Sequence, residues 1–78
     1  MSDTLSTQAE QVKTIANTIL LLIEGINAVL LECEKIPFVN SNPEFLKITN
    51  MLPQVITDMQ NVVSTADTVF GIAKAIEA

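Results

Sequence analysis

Histidine, tryptophan, tyrosine and arginine are absent from this 78-residue chain, and cysteine occurs once, at Cys33. Without histidine, acid–base pairs and most transition-metal sites lose their usual member. Without arginine, the commonest base-reading side chain is missing. The four lysines (Lys13, Lys35, Lys47 and Lys74) are scattered, and nine acids bring the net charge to −5. Binding to a phosphate backbone needs clustered positive charge, so no nucleic-acid partner is expected. A lone cysteine closes no internal disulfide, which excludes a secreted disulfide scaffold. The two glycines are isolated and form no phosphate loop, and the three phenylalanines do not alternate with basic residues as a base-stacking platform would.

What is present is apolar. Hydrophobic residues make up 49% and charged residues 17%, which is not the composition of a disordered polar tail. The expectation is one small domain, residues 1–78, whose lone core would be marginal, since a chain this short buries only about 60% of its unfolded surface. The most apolar stretch, ILLLIEGINAVLL from Ile19 to Leu31, falls short of the roughly 20 residues that cross a bilayer core. It reads as a buried helix. The start, MSDTLSTQAEQVK, has no cation before Lys13 and no apolar run before a cleavage site, so it is not a Sec-type signal peptide. The expected location is cytoplasmic, with non-classical secretion left open.

The breakers cluster in one place, PFVNSNP at residues 37–43. They divide the chain into a helix over 3–36, a turn over 37–42 and a helix over 43–77, each helix about 50 Å long at 1.5 Å per residue. Apolar residues keep time on both sides. Leu5, Ala9, Val12, Ala16, Ile19, Ile23, Ile26, Leu30 and Cys33 follow alternating steps of four and three. Phe45, Ile48, Leu52, Val55, Met59, Val62, Ala66, Val69, Ala73 and Ile76 do the same. Two such heptad seams predict an all-α helical hairpin of long antiparallel helices at a shallow angle. Asn42 before Pro43 suits an N-cap, with Ser41 and Glu44 as an alternative capping box; Asp3 or Thr7 suits the first helix. Pro53 lies within the second seam's rhythm, which predicts one helix kinked there, its rival being a break with a new helix capped by Asn50.

Each helix carries a second apolar row: Ile15, Leu22, Val29 and Ile36 in the first, Ile56, Val63 and Phe70 in the second. A hairpin offers each helix only one neighbour, so a doubled stripe calls for outside cover. The simplest supplier is a second copy, making a homodimeric four-helix bundle with those seven residues as the oligomer interface. Leu20, Leu21 and Leu31 lie outside both rows and form a candidate patch for a further subunit, another protein or a lipid surface. Lipid ranks last, because no lysine or arginine lines the polar face there.

No catalytic constellation or cofactor site emerges. None of the nine acids falls on a seam, so neither a carboxylate-bridged metal site nor a paired-carboxylate mechanism is expected. Cys33 sits on a seam without a neighbouring base and reads as a buried structural thiol, with a bridge between two copies of Cys33 as the lesser option. Met59 reads as core filler. Ser, Thr, Asn and Gln total 22 against 13 charged residues, so the outer faces lose less on being covered by protein than charged ones would. The expected function is therefore a non-enzymatic interaction or scaffolding module.

In layout, two helices about a proline-bounded turn (PFVNSNP) after a Ser/Thr/Gln-rich start (MSDTLSTQ), the chain resembles the needle subunits of type III secretion systems. The resemblance implies a secreted, self-assembling filament subunit with an uncleaved export signal. The second half lacks the charged, aromatic character of that family. A third reading makes the chain the N-terminal helical module of a larger protein, membrane-active through Leu20, Leu21 and Leu31.

Overall fold

The computed structural model describes residues 4–77. Two α-helices, α1 (Leu5–Cys33) and α2 (Pro43–Glu77), lie antiparallel and are joined by a turn containing a short 3₁₀ segment, Val39–Ser41. The result is an all-helical hairpin, 57 × 20 × 15 Å, with no strand among the described residues.

The ends of the helices follow local chemistry. Thr4 caps α1, its Oγ1 accepting from the Thr7 amide at 3.1 Å. The cap is thus neither Thr7 nor Asp3, and Asp3 lies outside the described residues. A threonine in extended conformation, with its hydroxyl three residues before a free amide, satisfies one of the donors a helix start leaves open. Asn42 caps α2, its Oδ1 accepting from the amides of Glu44 at 2.9 Å and Phe45 at 3.1 Å. Pro43 occupies the first helical position, where its missing N–H costs nothing. Ser41 does not form the alternative capping box: its hydroxyl donates to the Phe38 carbonyl instead.

Two boundaries differ from expectation. α1 ends at Cys33, three residues short of Ile36. Pro37 explains this, because it disfavours helical geometry in the residue before it. The chain then reverses through Phe38, whose φ of 79° lies in the left-handed region that favours glycine. The residue is 87% exposed, so no packing offsets that strain. α2 continues through Pro53 without a break, which removes the split-helix rival and Asn50 as a cap.

The antiparallel register is set at the open end of the hairpin. The Ser6 amide donates to Glu77 Oε1. Lys13 Nζ lies 2.9 Å from Asp67 Oδ1 and 5.0 Å from the centre of the Phe70 ring. From there the contact seam runs along α1 through Ser6, Ala9, Lys13, Ala16, Leu20, Ile23, Asn27 and Leu30. Along α2 it runs through Phe45, Thr49, Leu52, Ile56, Met59, Val63, Ala66, Phe70 and Ala73. All of these are buried or half-buried. The steps of three and four are those of a coiled-coil seam.

The core this produces is thin. Among the described residues the buried ones are Ala9, Ala16, Leu52, Ala66 and Ala73, and no large side chain is fully enclosed. Four of those five are alanines, which remove little apolar area from water on folding, and hydrophobic stabilisation scales with that area.

Candidate functional site

The candidate site is an apolar face along one side of the hairpin. It follows from which part of each helix touches the other. On α1, Leu5, Val12, Ile19 and Ile26 recur every seven residues, each three or four residues from Ala9, Ala16 or Ile23 and so beside the contact seam. On α2, Ile48, Val55, Val62, Val69 and Ile76 do the same beside Leu52, Met59, Ala66 and Ala73. The two rows share one side of the molecule: Leu5, Val12, Val62, Val69 and Ile76 line a single groove of about 640 Å³, floored by Ala9, Ala66 and Ala73. The antiparallel register sets Leu5 level with Ile76, Val12 with Val69, Ile19 with Val62, and Ile26 with Val55.

These side chains remain in solvent. Leu5 is 54% exposed and Val12 57%; Ile19, Ile26, Ile48, Val62, Val69 and Ile76 are also exposed, and only Val55 is half-buried. Beside the α1 row stand Ile15, Leu22 and Val29, one further step of three or four around the helix, with Ile36 beyond the end of α1. Leu22 is 64% and Val29 61% exposed. No charged residue occupies any of these rows.

The opposite flank is polar at the same end. Ser6, Thr7, Glu10, Phe70 and Lys74 surround a small hollow there, and Lys74 Nζ lies 5.3 Å from the Phe70 ring centre. The hydrogen bond from the Ser6 side chain, with others from Ser6, Leu5 and Thr4, holds the Glu77 carboxyl below its ordinary pKa.

The expected interface residues therefore divide. Ile15, Leu22, Val29 and Ile36 lie open to solvent. Ile56, Val63 and Phe70 are half-buried in the hairpin's own seam, a correction to their placement in an outer row. Leu20 is corrected likewise: it lies in the seam between Ala16 and Ile23, whereas Leu21 and Leu31 are exposed. Conversely, Leu5, Val12, Ile19 and Ile26, assigned to the hairpin seam, are left outside it. The physical reason is the breadth of the apolar arc on α1. It spans three adjacent rows, and α2 packs at its edge, against a row containing Lys13 and Asn27. The alanines at 9, 16, 66 and 73 carried the missed signal, since small residues at seven-residue spacing let two helices approach closely.

Cys33 is half-buried at the turn end of the apolar face. Its neighbours around the turn include Pro37, Phe38 and Phe45, and no histidine exists to activate it. Among the described residues, no three His, Cys, Asp or Glu side chains gather as metal ligands would. The length of α1 also revises the view that its apolar run is too short: by length and composition the helix could cross a membrane, and scarcely any of that stretch is buried in the hairpin. No protein-family model, curated protein or solved structure matches the chain.

Proposed function

We propose that this protein is a non-enzymatic interaction module that works as a homodimeric four-helix bundle, a second copy covering the apolar face. The observation that carries the reading is the direction of the apolar arc. On α1 its middle row, Leu5, Val12, Ile19 and Ile26, lies beside the contact seam but open to solvent, and α2 takes only its edge. A helix in a four-helix bundle has this arrangement, with one neighbour on each side of an arc that faces the common core.

Size and charge agree with a partner of the same kind. The hairpin measures 57 by 20 Å in its two longer dimensions. A flat face of that outline is on the order of 1,000 Å², somewhat more than the ~800 Å² each partner contributes to a standard interface. Side chains that are half exposed gain roughly 1 kcal/mol each on being covered, about half the value for complete burial. Eight of them per copy amount to about the whole stability expected of so small a domain. At a net charge of −5 two copies repel, but the face itself is uncharged, so the charges stay on surfaces that remain in water and are screened beyond ~10 Å.

Sedimentation tests the reading. The expected mass at micromolar concentration is twice that of the 8.5 kDa chain. Val69→Glu, which puts a charge in the groove at the open end of the face without replacing any of the hairpin's buried residues, should return it to a monomer. A natural chain that is already monomeric contradicts the proposal. Filaments in negative stain would favour the needle-like reading instead.

One observation favours a second reading: the membrane-compatible length and exposure of α1. On that reading the hairpin opens on a bilayer and lays the Ile15–Ile36 row into lipid. Leakage of dye from anionic and neutral liposomes would support it, and intact vesicles at micromolar protein would remove it.

A further inference from the structure

We infer that the second copy lies end to end with the first, each hairpin's turn half filling the groove at the other's open end; this rests on the dimer reading above. The two halves of the apolar face differ in relief. At the open end the floor between the helices is alanine (Ala9, Ala66 and Ala73), which leaves the 640 Å³ groove between the Leu5–Val12 row and the Val62–Ile76 row. Toward the turn the same floor positions hold Ile23, Leu30, Leu52 and Met59, all buried or half-buried. Larger side chains fill the groove between the helices there, and the hollow that remains, about 460 Å³ over Gly25, is walled by Leu22, Ile26, Val29 and their neighbours on α1 alone.

With the helices of both copies aligned as in a bundle, a two-fold axis can close this face in only two ways. If the axis runs along the hairpin, open end meets open end and two alanine-floored grooves face each other across the interface. Interiors packed like organic crystals do not leave such voids, and lining atoms without neighbours forfeit their dispersion contacts. If the axis crosses the hairpin near Ile19, the turn half of each copy, with the space between its helices filled, meets the alanine-floored half of the other. One surface then supplies both the filled half and the hollow half, as a two-fold interface requires. In this arrangement α1 lies antiparallel on the partner's α1, and Leu5 faces the partner's Cys33 level. Leu5 and Cys33 of a single chain stand about 40 Å apart along the helix, 28 residues at 1.5 Å each.

That separation makes the test unambiguous. A disulfide between Cys33 and a cysteine placed by Leu5→Cys can form only between copies. The L5C chain, oxidised as a dimer and mapped by mass spectrometry, should give 5-to-33 linkages predominantly. Linkages of 33 to 33 and 5 to 5, without 5 to 33, overturn the end-to-end arrangement while leaving the dimer intact. Should L5C disturb folding, a spin label on Cys33 of the natural chain gives the same answer by dipolar distance measurement. Labels about 40 Å apart are expected, and labels within about 20 Å of one another would overturn the proposal. A labelled or oxidised chain that sediments as a monomer overturns the dimer reading itself, which separates the two failures.

Discussion

Asn42 shows how much one side chain contributes in a protein with so small a core. Its carboxamide oxygen receives two amides at the start of α2, immediately after the turn that reverses the chain. Asn42→Ala leaves both donors to water and should cost about 1 kcal/mol, typical of a lost N-cap. In a domain of this length that lowers Tm by about 4–8 °C, readable by far-ultraviolet circular dichroism. An unchanged Tm would mean the turn, rather than the cap, sets where α2 begins. Glu77 gives a pH dependence of definite sign. Its pKa is lowered in the folded hairpin, first by the hydrogen bond from the Ser6 side chain. The stabilisation is therefore present above the carboxyl's unfolded pKa and fades as pH falls through the lowered folded value. Acid should loosen the open end, increasing amide exchange at Ser6 and its neighbours, and Glu77→Gln should abolish that part of the pH response. Equal acid sensitivity in the variant would remove Glu77 as the cause.

At the scale of the helices, periodicity made the two rods legible, and the breaker cluster at 37–43 located the turn. Which side of each rod meets the other was not legible from rhythm alone. A seven-residue repeat at Leu5, Val12, Ile19 and Ile26 fits a hairpin seam and an assembly face equally well. The choice depends on close approach, and Ala9, Ala16, Ala66 and Ala73 decide it by letting the helices come together where larger residues would hold them apart. Hence Ile56, Val63 and Phe70 turned inward, Leu20 joined them, and the Leu5 row was left in solvent. The cost of this choice is visible in the seam, where Lys13 and Asn27 sit half-buried among apolar neighbours. Lys13 reaches Asp67 and the Phe70 ring. Asn27 stands between Ile23 and Leu30 at a position where a polar residue fixes register at some expense of stability. Asn27→Leu should accordingly raise Tm by several degrees, about 1 kcal/mol of added burial. A lower Tm would show that the amide makes a hydrogen bond the seam depends on.

For the whole molecule, the hairpin buries four alanines and a leucine but presents eight exposed large aliphatic side chains in two register-matched rows. In the proposed dimer, a fold with so little inside and so much apolar surface on one face draws its stability from the copy that covers that face. Coupling of folding to association follows, so Tm should rise with protein concentration. The most direct check is sedimentation equilibrium of the natural chain across the micromolar range, with helicity recorded on the same samples. The account predicts a helical species of twice the 8.5 kDa chain mass that loses helix as it dissociates on dilution. A fully helical, thermally stable 8.5 kDa monomer at every concentration would contradict it.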